Sequence, residues 1–437
     1  TMSIETISIL VLFISFMGLL AYGVPVAYAI GISTTITLLI NIAYMPATTT
    51  VSQRMTTGID NFALLAIPFF ILAGEIMNRG GIANRLIDFA KSLIGSLPGG
   101  LAYVNIISAM LFGAISGSAI AAASAIGSTL TEKMAKDGYP REFSAAVNIS
   151  ASTTGLLIPP SNVLIIFALA SGGTASVAAL FIAGYIPGIL VGLAIMLMVY
   201  FYARKKGLPK EERVSFKKLF HDFKNAILSL TLLVIVVGGI VAGIFTATEA
   251  AAIAVVYAIL LGFVNKELKF SDFRPILLRS AKTTAIVMFL ISTSMAMSWL
   301  FSFESIPQSL TGFLLESVKN PLLVLLFINI TLLVVGTFMD MTPAVLIFTP
   351  IFLPVVMALG MHPVQFGMVI VLNLCIGVCT PPVGTLLFVG SGVAKVPVTK
   401  VIKPLLPLLG AMTAVLLILT YVPELSLWLP RAFGLID

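Results

Sequence analysis

SASTTGLLIPPSNVLIIFALASG (Ser150–Gly172) is apolar enough to enter a membrane, yet its middle carries Gly155, Pro159, Pro160, Ser161 and Asn162. Proline has no N–H to donate and its ring clashes with the preceding turn, so two in succession unwind a helix. Carbonyls freed in hydrocarbon cost roughly several kcal/mol each unless something binds them. About a dozen residues separate Ala145 from Leu157, or ~20 Å of helix, which puts the break near mid-membrane. The stretch predicts a broken membrane helix. Its freed carbonyls and the Ser161 hydroxyl are hard oxygen ligands for a small cation, and the helix restarting at Asn162 points a positive N-terminus at the same place, ready for an anion.

The rest of the chain agrees with a membrane setting. Of 437 residues, 59% are hydrophobic and only 10% charged, more apolar surface than a soluble protein can cover. Several stretches reach about 20 apolar residues, enough to cross ~30 Å of hydrocarbon. Crossing helices are expected near residues 4–22, 25–45, 62–78, 142–171 and 176–203, and again near 225–245, 249–264, 280–301, 364–393 and 402–422. The opening TMSIETISIL lacks the basic flank of a cleavable signal, so the first helix is expected to stay in the membrane.

Two further apolar regions, about 98–135 and 321–360, are interrupted by polar residues near their middles. Read as re-entrant hairpins they add no crossing, which leaves five per half and makes the halves inverted relative to one another. The expected fold is an all-α polytopic membrane protein of two inverted repeats, 1–203 and 225–437, joined by a basic linker at 204–224. The charges support this topology. With the linker in the cytoplasm, all but three (Arg54, Lys319 and Arg431) of the 25 lysines and arginines fall inside, as the positive-inside rule requires. Both termini are then outside. Residues 81–97 and 304–318 read as amphipathic interfacial helices in corresponding positions.

The hairpins carry a weak internal repeat. Laid without gaps over INITLLVVGTFMDMTP (Ile328–Pro343), the stretch VNIISAMLFGAISGSA (Val104–Ala119) sets Ser116 over Asp340 and Ser118 over Thr342. At a similar distance beyond each polar tip comes a Pro-Pro pair, in GLLIPPSN (Gly155–Asn162) and GVCTPPVGT (Gly377–Thr385), each with a glycine one helical turn before its first proline. Paired tips and paired breaks together point to one site made twice. Asp340 stands out, because an acid at membrane depth is expensive and usually functional. Glu75 reads as an interfacial or structural acid, and Glu249 as a helix N-terminal one. Cys375 and Cys379 sit one turn apart in one apolar segment and read as packing residues; His221 and His362 fall in loops. No Ser-His, Cys-His, paired-Asp or metal-ligand set appears at depth, which argues against an enzyme and against a cofactor.

At AIPFFILAGEIMNRGG, GAISGSAIAAASAIG, GLLIPPSN, MDMTPAVLIFTPIFLP and CTPPVGTLLFVGSG the chain resembles the large membrane subunit of tripartite ATP-independent periplasmic (TRAP) transporters, over nearly its whole length. The resemblance implies an elevator in the bacterial inner membrane, driven by Na⁺. Its partners would be a separate small four-helix membrane subunit and a periplasmic binding protein that delivers a carboxylate, with sialic acid favoured and C4-dicarboxylates or other organic acids possible. By position, a first Na⁺ site would use Ser116, Ser118, Gly155, Pro159 and Asn162. A second would use Asp340, Thr342, Gly377, Thr380 and Thr385, with Ser161, Asn162 and Thr385 toward the substrate. An H⁺-coupled organic-anion transporter and an ion-conducting channel subunit remain open alternatives, the latter because paired polar tips also build selectivity filters.

Overall fold

The computed structural model describes residues 4–79, 81–210, 214–318 and 320–437, so Lys319 lies outside the described residues. The first half opens with α1 (Ile4–Ala21), α2 (Val26–Asn41), α3 (Tyr44–Ile59) and α4 (Ala66–Arg79). Next come α5 (Ile82–Ile94), α6 (Gly100–Ser116) and α7 (Ala119–Lys136), then α8 (Arg141–Ser152), α9 (Thr154–Leu157), α10 (Asn162–Ala170) and α11 (Val177–Lys206). The second half holds α12 (Phe216–Val241), α13 (Ala247–Val264), α14 (Phe270–Phe303), α15 (Ile306–Ser317), α16 (Pro321–Phe338) and α17 (Met341–Ala358). It closes with α18 (Pro363–Gly377), α19 (Thr385–Ala394), α20 (Val398–Tyr421) and α21 (Glu424–Ala432).

Among the described residues, eight helices are long and apolar enough to cross a membrane, or nine if the pair 141–157 and 162–170, bent by 51°, counts as one span. The bend falls at the Pro-Pro break. The chain is thus an all-α, multi-pass membrane protein. Against the ten crossings expected, α2 and α18 are apolar but only 16 and 15 residues long. Conversely, α16 and α17 are each 18 residues long and apolar, enough by length to cross.

Three boundaries differ from the sequence reading. The stretch between the expected crossings 25–45 and 62–78, which falls outside in the topology above, contains the helix α3, which packs on α2 and α14 with Ala47 and Val51 buried; the Ser292 hydroxyl donates to the Met55 carbonyl at 2.9 Å. Residues 216–224 of the basic linker are already helical, because Ser215 caps α12 by accepting from the Lys218 N–H. The long α14 likewise begins at Phe270, well before the apolar run expected from residue 280. Glu249 has the role expected of it: its carboxylate accepts from the Thr246 N–H at 2.8 Å and closes a capping box on α13.

Packing sorts the helices into two groups. In one, α1–α4 pack with α12–α14; in the other, α6–α11 pack with α16–α21. Each half of the chain contributes to both. The amphipathic α5 packs on α12 and α6, and α15 on α14 and α17, so these two helices bridge the groups, which also meet directly where α14 packs on α17 and α4 on α6. On α5, Ile82, Leu86, Ile87 and Ala90 are buried, while Leu93 stays exposed.

The two halves break at matching places. A single displacement carries Gly155 onto Gly377, Pro159 onto Pro381, and the end of α6 at Ser116 onto the end of α16 at Phe338. Both Pro-Pro bonds are cis. This register is shifted by two positions from the gapless overlay of the tips. Ser118 therefore corresponds to Asp340, and each is the N-cap of the helix that follows its tip.

Candidate functional site

Proline chemistry explains the local geometry. The carbonyls of Gly155 and Gly377 would pair with the N–H of residues 159 and 381, but both are proline and have none. The next carbonyls find substitutes: Leu156 accepts from the Ser161 hydroxyl at 2.6 Å, and Val378 from the Leu386 N–H at 3.1 Å. Gly377 accepts from the Thr380 N–H at 2.8 Å. These glycines also allow the tips to approach. Gly155 lies against Gly113 of α6, and Gly377 against Gly336 of α16, backbone to backbone.

Each tip then reaches the break of its own half. Gly117 turns the chain between α6 and α7 at φ 63°, a left-handed conformation that suits glycine, and faces the Pro160 carbonyl and Asn162. In the second half, the Gly384 N–H donates to the Thr337 carbonyl at 3.3 Å. Asp340, the N-cap of α17, makes no side-chain cap hydrogen bond and lines the same cavity as Thr385.

Both tips and both breaks meet at a single cavity of about 230 Å³. Ser116, Ser118 and Asn162 line it from the first half, and Asp340, Thr342 and Thr385 from the second. Gly155, Pro159, Ser161, Gly377 and Thr380 lie behind this wall. The Ser161 hydroxyl is fully buried and spent on Leu156, and the Thr380 hydroxyl donates to Ile376 at 2.7 Å. The Asn162 side-chain oxygen is buried without a hydrogen-bond partner. Ser118 accepts from the Ala121 N–H at 3.2 Å, capping α7.

The sequence reading missed the far wall. Glu75 and Gly74 of α4 and Thr283 and Val287 of α14 complete the cavity. Glu75, read as an interfacial or structural acid, faces the same space as Asp340. Its position near the end of α4 gave no local sign of this, because α4 meets α6 only through tertiary packing. The described lining therefore carries two carboxylates and neither lysine nor arginine. Hydroxyls, carboxylates and backbone carbonyls are ligands for hard cations such as Na⁺, while the N-termini of α7, α10, α17 and α19 can receive an anion.

Cys375 and Cys379 are free and fully buried, directed at the Thr153 and Ile149 carbonyls across the contact between α18 and the α8–α9 region. They pack, as expected.

Comparison with known proteins accords with this geometry. The chain is 50% identical to the uncharacterized protein YgiK of Salmonella typhimurium, over 98% of both chains. It is 43% identical to the C4-dicarboxylate TRAP transporter large permease protein DctM of Pseudomonas aeruginosa, over 86% of this chain and 88% of that one. To the sialic acid TRAP transporter large permease protein SiaM of Vibrio cholerae it is 39% identical, over 95% and 97%. The solved structure of the Alcanivorax borkumensis YdaH transporter shares the fold, with a TM-score of 0.64 over 91% of both chains at 14% identity. The family model for the DctM component of tripartite ATP-independent periplasmic transporters matches residues 13–425, and the chain belongs to that transporter family.

Proposed function

We propose that the chain is the large membrane subunit of a Na⁺-coupled importer of a small organic anion. The observation that carries this reading is the meeting of both tips and both helix breaks at one cavity with oxygen ligands and, among the described residues, no basic side chain. A carboxylate or sulfonate would be held there by helix N-termini, hydroxyls, Asn162 and bound Na⁺. The first cation would sit among Ser116, Ser118, Asn162 and the carbonyls at Gly155–Pro159. The second would sit among Asp340, Thr342, Thr385 and the carbonyls at Gly377–Thr380.

Sialic acid loses its preference. A C4-dicarboxylate permease and a sialic acid permease match this chain about equally well, and a cavity of 230 Å³ is below the ~300–1,000 Å³ of drug-sized ligand sites. A small dicarboxylate fits these facts better. The two helix groups supply the parts of an elevator: α6–α11 with α16–α21 as the moving body, α1–α4 with α12–α14 as the frame, and α5 and α15 as the arms. In this reading the halves 1–203 and 225–437 are inverted repeats, the tips are re-entrant, and both termini face the periplasm of the inner membrane. A small membrane subunit and a periplasmic binding protein are the partners that family membership supports.

The second reading, coupling to H⁺, draws on the two carboxylates in the cavity. Uptake in proteoliposomes holding all three components separates the two. Succinate uptake that follows an imposed Na⁺ gradient at equal pH supports sodium; uptake that follows a pH gradient without Na⁺ overturns it.

A further inference from the structure

Glu75 is the one charged group lining the cavity, among the described residues, that the α1–α4 and α12–α14 group supplies; Thr283 of α14 is its neutral companion. Ser118, Asn162, Asp340 and Thr385 belong to the group of α6–α11 and α16–α21, whereas Glu75 stands on α4, which packs on α13 and α14. Its neighbour Gly74 brings α4 against the first tip with no side chain between. A β-carbon at residue 74 would come within 2.9 Å of the Ser116 carbonyl oxygen. The backbone of α4 thus touches a residue assigned to the first cation site, and the next residue along is an acid open to the cavity. Glu75 has no hydrogen bond or ion pair among the described residues. Arg79, one turn on, is engaged by Asp272 at 2.9 Å, and Arg85 by Glu267 at 2.7 Å. Both nearby arginines are thus engaged elsewhere, and the Glu75 carboxylate is left facing the cavity.

We propose that Glu75 is a countercharge fixed on the frame, which raises cation affinity in the state seen here and is left behind when the other helix group moves. The proposal rests on the sodium-coupled reading above. It adds a physical reason for release. A cation held between hairpin and broken helix keeps the same ligands wherever those elements go, so its affinity would otherwise be the same on both sides. A carboxylate on α4 attracts it through a medium of low dielectric only while the tip lies against Gly74. Displacement of the tip removes that attraction and weakens the site. Until cations bind, the same charge together with Asp340 makes the cavity repel an anion, which opposes substrate entry ahead of Na⁺.

The test needs no organic substrate. Na⁺ stabilises the purified membrane protein by mass action on the folded state, so its apparent affinity is read from the rise in unfolding temperature as NaCl replaces choline chloride at constant ionic strength. Glu75→Gln and Glu75→Met should each need at least about fivefold more Na⁺ for half the rise, the lower end of ordinary coupling between sites. Glu75→Asp, which keeps the charge, should recover most of the wild-type affinity. In choline alone the neutral variants should unfold no earlier than the wild type, since they remove a charge and no contact. Either neutral variant, once folded, suffices. A neutral variant with the wild-type Na⁺ midpoint overturns the proposal, even if its overall stability has fallen. A wild-type protein indifferent to Na⁺ sinks the sodium reading, and this inference with it.

Discussion

Gly113 and Gly155 meet with no side chain between them: a β-carbon on Gly113 would come within 2.6 Å of the Gly155 α-carbon. The second half repeats the contact, with a β-carbon on Gly377 reaching 2.5 Å from the Gly336 α-carbon. Each pair clamps a hairpin arm to a broken helix at the residue whose usual helical partner is a proline.

Gly113→Ala, Gly155→Ala and Gly377→Ala should therefore each destabilise the protein by about 1–3 kcal/mol, the usual cost of overpacking, and abolish uptake by moving a tip off its break. Gly312→Ala on α15 is the control. It meets open space, and alanine in a helix gains up to about 1 kcal/mol over glycine. Thermal unfolding of the four variants checks this; equal effects at Gly312 and Gly155 would deny the clamp.

At the proposed cation sites, charge should outweigh hydroxyls. Ser118→Ala and Thr342→Ala each remove one neutral oxygen, worth about 0.5–1.5 kcal/mol, or roughly 2- to 12-fold in the Na⁺ needed for half-maximal uptake. Asp340→Asn should cost more, about 1.5–3 kcal/mol, because it removes the one carboxylate at a tip. Normal Na⁺ dependence in Asp340→Asn would take Asp340 out of any cation site.

Orientation is open to chemical labelling. Cys375 and Cys379 are fully buried, so the native chain should give little background with an impermeant maleimide. Ser426, on α21, is buried as well, and the exposed Trp428 beside it is the better position. Cysteines at Thr49 and Trp428 should react from the periplasm, and one at Lys217 should not. Periplasmic labelling at Lys217 would invert the topology.

Helix α5 carries a pH signature. Asp88 stays exposed on α5, yet partial desolvation, with the nearby Asp222 carboxylate, raises its pKa above the ordinary value, although Lys133, Lys218 and Lys91 oppose the shift. The folded state thus holds this proton more tightly than the unfolded state. Its stabilising contribution is complete below about pH 3.8 and is lost as pH rises through the raised folded value. At neutral pH the ionised group is a small cost, so Asp88→Asn should raise the unfolding temperature at pH 7, with the gain vanishing near pH 4. A loss of stability at pH 7 would show that the carboxylate is needed there.

What the sequence disclosed and what it hid follow from the range of the forces involved. The breaks at Pro159–Pro160 and Pro381–Pro382 were legible because proline acts within one turn of itself. The capping role of Glu249 was equally local. Helix α3 was not legible: YMPATTTVSQRMTTGI has no long apolar run, and its helix is settled by Ala47 and Val51 packing on distant segments. The repeat slipped by two positions because an overlay of polar letters rewards Ser116 over Asp340. Two residues turn a helix by about 200°, and only the helix ends show that Ser118 is the counterpart of Asp340. Glu75 sat in a quoted motif, yet nothing local says which cavity α4 will face.

The interleaving of the two helix groups also bears on how the protein is made. Helix α4 buries its inner face on α13 and α14, which the ribosome delivers only after the whole first half is complete. Helix α7 finds α19, and α8 finds α19 and α20, later still. A nascent chain stopped after α11 would hold half of each helix group, each with an unmated face. Assembly has to wait for the second half to enter the bilayer. A gene cut within the basic segment between α11 and α12 should yield two fragments that are each degraded alone and mutually rescued when expressed together.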